Sequence, residues 1–353
     1  MATPPGPPPG SGRTEPPAQR DRLIVHLVWE GILGLAAVIL VVVFLSTESS
    51  RAFTPVLDRI GFVGLVAAGL ALSFRTGTPN LAVGSVAAFT GGLSAYLMNE
   101  GWSVGAAIAI AVILATVIGG VVGVLVGALS VPAWAATLGA ALIIEVLLTE
   151  LGDDRRLGAL RLVSRDIGDY STELWLGLFL VTSVGGGLLW LLPNVRNALG
   201  ASRRDGEPGQ WGGMRPGLGA VAGLAGSSLL AGLGGAAQLI RLRANEPSST
   251  QFLTTIALAA VLVGGVSVFG RRAGVTGTAL GVLVVVTGYT LLLINVREAW
   301  TQSLYIGLMI LLGLGVSRAL ESITTKLNTS RPARRPDSAP AQQPPPSPNL
   351  FTR

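Results

Sequence analysis

The chain lacks the residue types on which many soluble enzymes depend. Its 353 residues include no cysteine, one histidine (His26) and one lysine (Lys326). The absence of cysteine excludes disulfides, thiolate–zinc sites and a cysteine nucleophile, and a single histidine excludes an HExxH metal site. Lys326 follows Thr325, so the sequence contains no Walker A motif for ATP. We therefore expect no catalytic residue, no metal and no cofactor.

Charged residues are also scarce, at 12% of the chain against roughly 25% in soluble domains. Half of the residues are hydrophobic, the mean hydropathy is +0.61, and glycine, which is frequent in membrane helices, occurs 48 times. The pI of about 10.6 reflects arginines that flank apolar segments, so we expect membrane lipid and no nucleic acid as a partner. The sequence predicts an all-α polytopic membrane protein.

Segments free of Asp, Glu, Lys and Arg predict ten transmembrane helices. A spanning helix needs roughly 20 apolar residues, so the long segment 101–144 must be interrupted, and Ser130-Val131-Pro132 is the expected break because proline ends helices. The segment 60–74 is short, so its helix is either recessed or extends back to Pro55. The ten segments are 31–47, 60–74, 76–99, the two halves of 101–144, 174–195, 216–240, 247–270, 273–296 and 299–317.

The segments on either side of the predicted transmembrane domain (23–320) are rich in proline and arginine. We expect residues 1–22 and 321–353 to be disordered, because they have too little apolar content to form a core. An even number of helices places both tails on one side of the membrane. With cytoplasmic tails, sixteen of the 25 basic residues lie on the inside, as the positive-inside rule favours. We predict a multi-pass protein of the cell membrane with both termini in the cytoplasm.

Glycines recur at every fourth position in two of the predicted helices. They are Gly119, Gly123 and Gly127 in the fourth helix, and Gly219 and Gly223 in the seventh. This spacing predicts close packing between membrane helices.

Glu145, which follows the segment 101–144, is the one acid that we expect to lie well inside a transmembrane helix. It lies about 18 Å along the helix from Ala133, and an acid at such a depth is a candidate functional residue. Thr137, Ala141, Glu145 and Thr149 are four residues apart, so they form a stripe that could line a pathway. The alternative is a carboxylate near the outer surface that pairs with an arginine of the 150–173 loop or reaches water.

The segment 73–85, Ser-Phe-Arg-Thr-Gly-Thr-Pro-Asn-Leu-Ala-Val-Gly-Ser, interrupts two apolar stretches with glycine and proline. We expect a helix to stop there, expose Asn80, and restart near Gly84 and Ser85. Discontinuous helices with free backbone groups are typical of transporter sites. The alternative is an ordinary tight turn at the cytoplasmic surface.

Three motifs resemble permease subunits of ABC importers for simple sugars and nucleosides, a family related to branched-chain amino-acid permeases. The motif FRTGTPNLAVGSVAAFTGGLSAYL (74–97) combines features of the nucleoside and sugar branches, and GVLVGALSVPAWAATLGAALI (123–143) and IALAAVLVGGVSVFGRRAGVTGTALG (256–281) follow in the family's order. The resemblance implies a ten-helix permease whose pathway we assign to Asn80, Ser85, Thr137 and Glu145.

The resemblance also implies three partner proteins. These are a separate ATP-binding subunit that hydrolyses ATP, a second permease copy or paralogue, and an extracytoplasmic solute-binding protein. In the family, the loop at 194–215 carries the helix that contacts the ATP-binding subunit. Here Gly206, Pro208 and Gly209 are poor helix residues, so either that helix is shorter or this chain has lost the usual contact. The contact residues that we assign to this loop are Arg196, Arg203, Arg204, Asp205 and Glu207.

Two other functions are compatible with the sequence. A secondary transporter would use Glu145 to carry a proton or an ion. A membrane scaffold that transports nothing would recruit partners through its proline-rich tails.

Overall fold

The structure, a computed structural model, describes residues 23–48, 53–151, 171–199, 214–242, 250–266, 276–296 and 298–329. Across these ranges the regular secondary structure is helical. The helices are α1 (Leu23–Thr47), α2 (Thr54–Arg75), α3 (Val83–Asn99), α4 (Val104–Leu129), α5 (Ala133–Leu151), α6 (Ser171–Leu191), α7 (Pro193–Leu199), α8 (Met214–Leu242), α9 (Thr250–Val263), α10 (Gly277–Asn295) and α11 (Ala299–Thr329).

The predicted all-α fold class is confirmed, and each of the ten predicted segments overlaps one long helix. α2 begins at Thr54 with Pro55 in its first turn, which is the extension that the short segment 60–74 required. α4 ends at Leu129 and α5 begins at Ala133, so the break falls at the predicted proline. Ser130 adopts a left-handed conformation there (φ 52°).

Eight of the described helices are long and apolar enough to cross a membrane. α3 has 17 residues and α9 has 14, so both are shorter than the roughly 20 residues of a full span. The predicted segments 76–99 and 247–270 therefore contain helices that start or stop inside the bundle.

The last helix extends beyond the predicted boundary of the transmembrane domain. α11 continues to Thr329, nine residues past the expected end at residue 320. The prolines of the C-terminal segment begin only at Pro332, so nothing in the sequence stops the helix earlier.

α2 is the central helix of the bundle. It is 83% buried across its most apolar 18 residues, whereas the corresponding windows of α1, α5, α6 and α11 are each 22% buried. The side chains of α2 form the middle of the main hydrophobic core, with contributions from α3, α8, α9 and α10. α1, α5, α6 and α11 are therefore peripheral and present apolar surface outward.

The glycine stripe of α4 packs against α8, as its spacing predicts. A Cβ added at Gly123 would lie 2.6 Å from Val221 Cα, and one added at Gly127 would lie 3.0 Å from Gly217 Cα. Gly223, on α8, instead faces Thr76 and Thr78. The small residues allow two helix backbones to approach closely.

Two connections between helices carry backbone groups that the helices themselves do not satisfy. Break one is residues 76–82, between α2 and α3, and break two is the described part of the α9–α10 connection, residues 264–266 and 276. Gly77 in break one (φ 75°) and Gly265 in break two (φ 78°) have positive φ angles that other residues rarely adopt. Both breaks lie against neighbouring helices of the bundle.

Candidate functional site

Break one lies inside the helical bundle. Thr76, Thr78 and Asn80 are at most 2% exposed, and a Cβ added at Gly223 of α8 would lie 2.8 Å from Thr78 Oγ1. Gly223 is about 13 Å along α8 from Met214, at the helix rise of about 1.5 Å per residue. Break one is therefore buried among the described helices.

Side chains from three helices and from the break itself satisfy the free N–H groups of this segment. Backbone donors in a bilayer have no water to bond, so each needs a protein partner. Four N–H groups have side-chain acceptors: Asn80 N–H to Ser73 Oγ (3.1 Å), Leu81 N–H to Thr137 Oγ1 (3.0 Å), Ala82 N–H to Asn80 Oδ1 (3.0 Å) and Gly84 N–H to Thr254 Oγ1 (3.1 Å).

Asn80 and Thr137 hold this break in place. Asn80 Nδ2 donates to Ser227 Oγ at 3.1 Å and to Ser228 Oγ at 3.4 Å, both on α8. Thr137 Oγ1 lies 3.2 Å from the Pro79 carbonyl oxygen, to which it can donate. Both residues are almost fully buried, and their polar atoms form hydrogen bonds that stabilise the fold.

Ser85 and Glu145 form a second contact between α3 and α5. Ser85 Oγ donates to Glu145 Oε1 at 3.0 Å. Asn80, Ser85 and Thr137 are each at most 3% exposed, whereas the Glu145 side chain is partly exposed. The structure thus brings the four predicted pathway residues to one α3–α5 junction, and among them Glu145 has the surface available to a solute.

A small cavity lies next to Asn80 and Thr137, between α3, α4, α5 and α8. Its volume is about 10 Å³, and apolar side chains such as Val86 and Ile144 form most of its wall. That volume accommodates about one water molecule. A solute of several heavy atoms would therefore have to pass outside this cavity.

Two other acids also lie within described helices, near the starts of their apolar segments. Glu30 lies seven residues into α1, and Asp58 lies in α2 with 7% exposure. A charge-free segment ends at the nearest charged residue, so an acid near the end of a helix falls outside it. Extending each segment back to its helix start, as Pro55 indicated for α2, would have included Asp58.

Asp58 connects α2 to two other helices. It forms an ion pair with Arg241 of α8, and Thr172 Oγ1 of α6 donates to Asp58 Oδ1. The next residue, Arg59, contacts a different helix, since its Nη1 donates to Thr290 Oγ1 of α10 at 3.3 Å. Paired charges are what a membrane interior requires, so these residues fasten α2 to its neighbours.

Glu30 and Trp29, on α1, satisfy the ends of break two. Glu30 Oε1 accepts the N–H groups of Thr276 and Gly277, each at 3.1 Å, and Thr276 Oγ1 donates to Glu30 Oε2 at 2.8 Å. Trp29 Nε1–H donates to the Val263 carbonyl oxygen at 2.9 Å. Adjacent residues of α1 therefore cap the end of α9 and the start of α10.

The residues assigned to the ATP-binding contact fall largely outside the described residues. Arg203, Arg204, Asp205 and Glu207 lie there. Arg196 belongs to α7, a seven-residue helix, but its side chain is not among those described. The arginines of the 150–173 loop also lie outside the described residues, so their pairing with Glu145 stays a prediction.

Residues 54–192 match the family described as the branched-chain amino acid transport system / permease component. The chain is also similar to a fructose import permease protein of Rhizobium meliloti, with 32% identity over 98 residues. That alignment covers 28% of this chain and 27% of the relative. No solved structure matches the chain significantly. The resemblance to sugar-type ABC importer permeases is thereby confirmed over this part of the chain, while its nucleoside features have no counterpart in these matches.

Proposed function

We propose that this chain is the transmembrane permease subunit of an ABC importer for a small polar solute of the simple-sugar class. The observation that carries the proposal is the family match of residues 54–192. This segment contains break one together with Asn80, Ser85, Thr137 and Glu145. The similarity to a fructose import permease favours a sugar over a nucleoside.

The solute pathway is proposed to follow α5 at Glu145. Neighbouring side chains of α5, Leu142, Ile143 and Val146, are exposed, so this helix faces outward from the described bundle. A charge that faces lipid at the centre of a bilayer costs about 2.5–3.5 kcal/mol. A second copy or a paralogue covering this face, with the solute between the two chains, would remove that cost.

Glu145 suits a sugar chemically. A carboxylate accepts hydrogen bonds only, and the hydroxyl groups of a sugar donate them. Ser85 already bonds Oε1 and orients the carboxyl group. Asn80 and Thr137 support the pathway by holding break one, since their polar atoms are engaged in the fold.

Energy would come from a separate ATP-binding subunit, and the solute from an extracytoplasmic solute-binding protein. We propose that the permease has no catalytic activity of its own and that residues 194–215 contact the ATP-binding subunit through Arg196, Arg203, Arg204, Asp205 and Glu207. Reversing Arg203 and Arg204 to glutamate should abolish co-purification with that subunit, because like charges across an interface repel. Unchanged co-purification would place the contact elsewhere.

We further propose that the protein lies in the cell membrane with both termini in the cytoplasm. Because the chain has no cysteine, single-cysteine variants report orientation without background. The Ser11→Cys and Ser338→Cys variants should resist an impermeant thiol reagent in intact cells, and the Ser164→Cys variant should react. Labelling at either terminus of intact cells would reverse the orientation.

The function is tested by reconstituting the permease in liposomes with its ATP-binding subunit and its solute-binding protein. Labelled fructose and ribose are supplied with the solute-binding protein on one side and ATP on the other. We expect ATP-dependent uptake of at least one sugar and sugar-stimulated ATP hydrolysis. Uptake driven by a proton gradient without ATP would indicate a secondary transporter, and no uptake of any sugar would contradict the proposal.

A further inference from the structure

Arg59 of α2 carries a positive charge that no carboxylate of the described residues neutralises. The acid beside it, Asp58, is already paired with Arg241 of α8. Within the described ranges, the Arg59 guanidinium donates one hydrogen bond, and its acceptor is the uncharged Thr290 Oγ1 at 3.3 Å. Asp58, Arg59 and Arg241 together therefore leave one net positive charge at this place in the bundle.

The Arg59 guanidinium lies over an aromatic ring and keeps donors for another partner. Its Cζ is 5.4 Å from the centre of the Tyr289 ring, a cation–π contact, and the Tyr289 hydroxyl donates to Gln302 Oε1 at 2.8 Å. A guanidinium has five N–H donors, and no Arg59 nitrogen is among the buried atoms without a hydrogen bond. Since the side chain is partly exposed, the donors that Thr290 does not use reach the surface of the bundle.

This surface lies at one end of the bundle, where several helices begin or end. Arg59 is the sixth residue of α2, about 8 Å from the start of the helix. Arg241, the partner of the adjacent acid, is the next-to-last residue of α8, and Gln302 is the fourth residue of α11. Trp300, in the same turn of α11, is 62% exposed, and tryptophans are enriched at the membrane–water interface. These positions place Arg59 near the lipid head groups and away from the centre of the bilayer.

We propose that Arg59 binds the phosphate group of a phospholipid at the junction of α2, α10 and α11. An unpaired charge is costly in a membrane protein, so an anionic partner would stabilise Arg59. The planar guanidinium matches phosphate oxygens with two parallel hydrogen bonds, and basic pockets between membrane helices bind lipid head groups. The proposal does not depend on transport, because it concerns how the bundle meets the membrane.

Three ligands distinguish a lipid phosphate from lipid chains and from a free ion. The purified full chain in a non-ionic detergent is titrated with phosphatidylglycerol, with diacylglycerol, which has the same chains and no phosphate, and with inorganic phosphate. The unfolding temperature is measured at each concentration, since a ligand that binds the folded state raises it. We expect a saturable increase with phosphatidylglycerol and little change with the other two at the same concentrations.

Arg59→Gln removes the charge and keeps a planar polar group. We expect the phosphatidylglycerol concentration that gives half of the maximal shift to rise about tenfold or more, because hydrogen bonds to a charged group are the stronger kind. The control is Thr290→Val, which removes the neutral hydrogen bond and leaves the charge in place. It should lower the unfolding temperature in detergent alone and retain the parental response to phosphatidylglycerol, so a loss of stability is separated from a loss of binding.

Three results would overturn the proposal. Equal shifts with diacylglycerol and phosphatidylglycerol would show that the chains bind without the phosphate. An equal response to inorganic phosphate would assign Arg59 to a free anion and not to a lipid. An unchanged response of Arg59→Gln to phosphatidylglycerol would show that the lipid binds elsewhere.

If Arg59→Gln does not fold, Arg59→Lys replaces it. Lysine keeps the charge but presents it as a point charge in place of the planar fork. We expect this variant to need more phosphatidylglycerol than the parent for the same shift. A response equal to that of the parent would contradict the assignment of the guanidinium to a phosphate.

Discussion

Break one is held by uncharged side chains, whereas break two is held by a carboxylate and an indole. In break one, the acceptors for the free N–H groups are the hydroxyls of Ser73 and Thr137 and the amide oxygen of Asn80. In break two, Glu30 accepts the N–H groups, and the Trp29 indole N–H donates to a carbonyl oxygen. Both sets of side chains satisfy backbone hydrogen bonds, so the difference in their chemistry must come from the surroundings of each break.

The difference in burial explains why one break is capped by neutral side chains and the other by a carboxylate. Break one is enclosed by α2, α4, α5 and α8, and its threonines and Asn80 are at most 2% exposed. A charge placed there would need a buried partner to offset its desolvation. Trp29 and Glu30 are partly exposed on the peripheral helix α1. The charged cap is thus found at the partly exposed edge of the bundle, and the neutral caps are found at the buried break.

The contact between the first turns of α3 and α9 is the feature most sensitive to a single substitution. Gly84→Ala would drive a methyl group into the Thr250 carbonyl oxygen and Thr254. Because both are parts of a packed helix, we expect a loss of about 3 kcal/mol in the free energy of unfolding. Thermal unfolding of the purified protein in detergent measures this loss.

The control for that substitution is Gly139→Ala on α5. No atom lies within 4 Å of a Cβ at Gly139, and alanine favours helix formation over glycine by about 1 kcal/mol. This variant should be as stable as the parent or more stable. Equal stability of both variants would show that α3 and α9 do not meet as described.

Replacing Asn80 tests the neutral hydrogen bonds that hold break one. Asn80→Leu deprives the Ala82 N–H of its acceptor and removes the donor to Ser227 and Ser228. An unsatisfied buried donor costs about 2 kcal/mol. We expect a lower unfolding temperature and faster thiol labelling of a cysteine introduced at the buried Ala82, which would be the only thiol of the chain. A variant with parental stability would mean that water reaches break one.

The sequence predicted the fold well, because long apolar segments and prolines determine where membrane helices begin and end. The predicted interruptions lie at Pro132, between α4 and α5, and near Asn80, between α2 and α3. The sequence could not predict that Thr254 caps Gly84 or that Glu30 caps α10, since these pairs are 170 and 246 residues apart in sequence. Such contacts depend on how the helices pack, which a search for apolar segments does not describe.

The candidate site was predicted in part for the same reason. Thr137, Ala141 and Glu145 share one side of a helix whatever its neighbours are, so their common stripe could be found from spacing. The packing of α3 against α5 decides how these residues differ. Thr137 and Asn80 bond the backbone of break one, whereas Glu145 keeps an exposed surface. Sequence spacing alone does not distinguish the residues that bond the backbone from the one that keeps an exposed surface.

Break two should respond less than break one to the loss of a neutral hydrogen bond. Trp29→Phe keeps most of the aromatic packing and removes the N–H that bonds the Val263 carbonyl oxygen. A typical hydrogen bond contributes about 1 kcal/mol, and the partly exposed site admits water as a substitute. We expect a small decrease in unfolding temperature, smaller than that of Asn80→Leu. A larger decrease would show that break two is the more tightly enclosed of the two.

The central claim, that solute passes the α3–α5 junction at Glu145, is tested most directly by ATP-driven sugar uptake in the reconstituted complex. Glu145→Gln is compared with Glu150→Gln, the same change at an exposed position near the end of α5. We expect Glu145→Gln to reduce uptake about tenfold or more while folded protein stays near the parental level, because an acceptor for charged hydrogen bonds is lost. Glu150→Gln should transport normally. Full uptake by the Glu145→Gln variant would contradict the account.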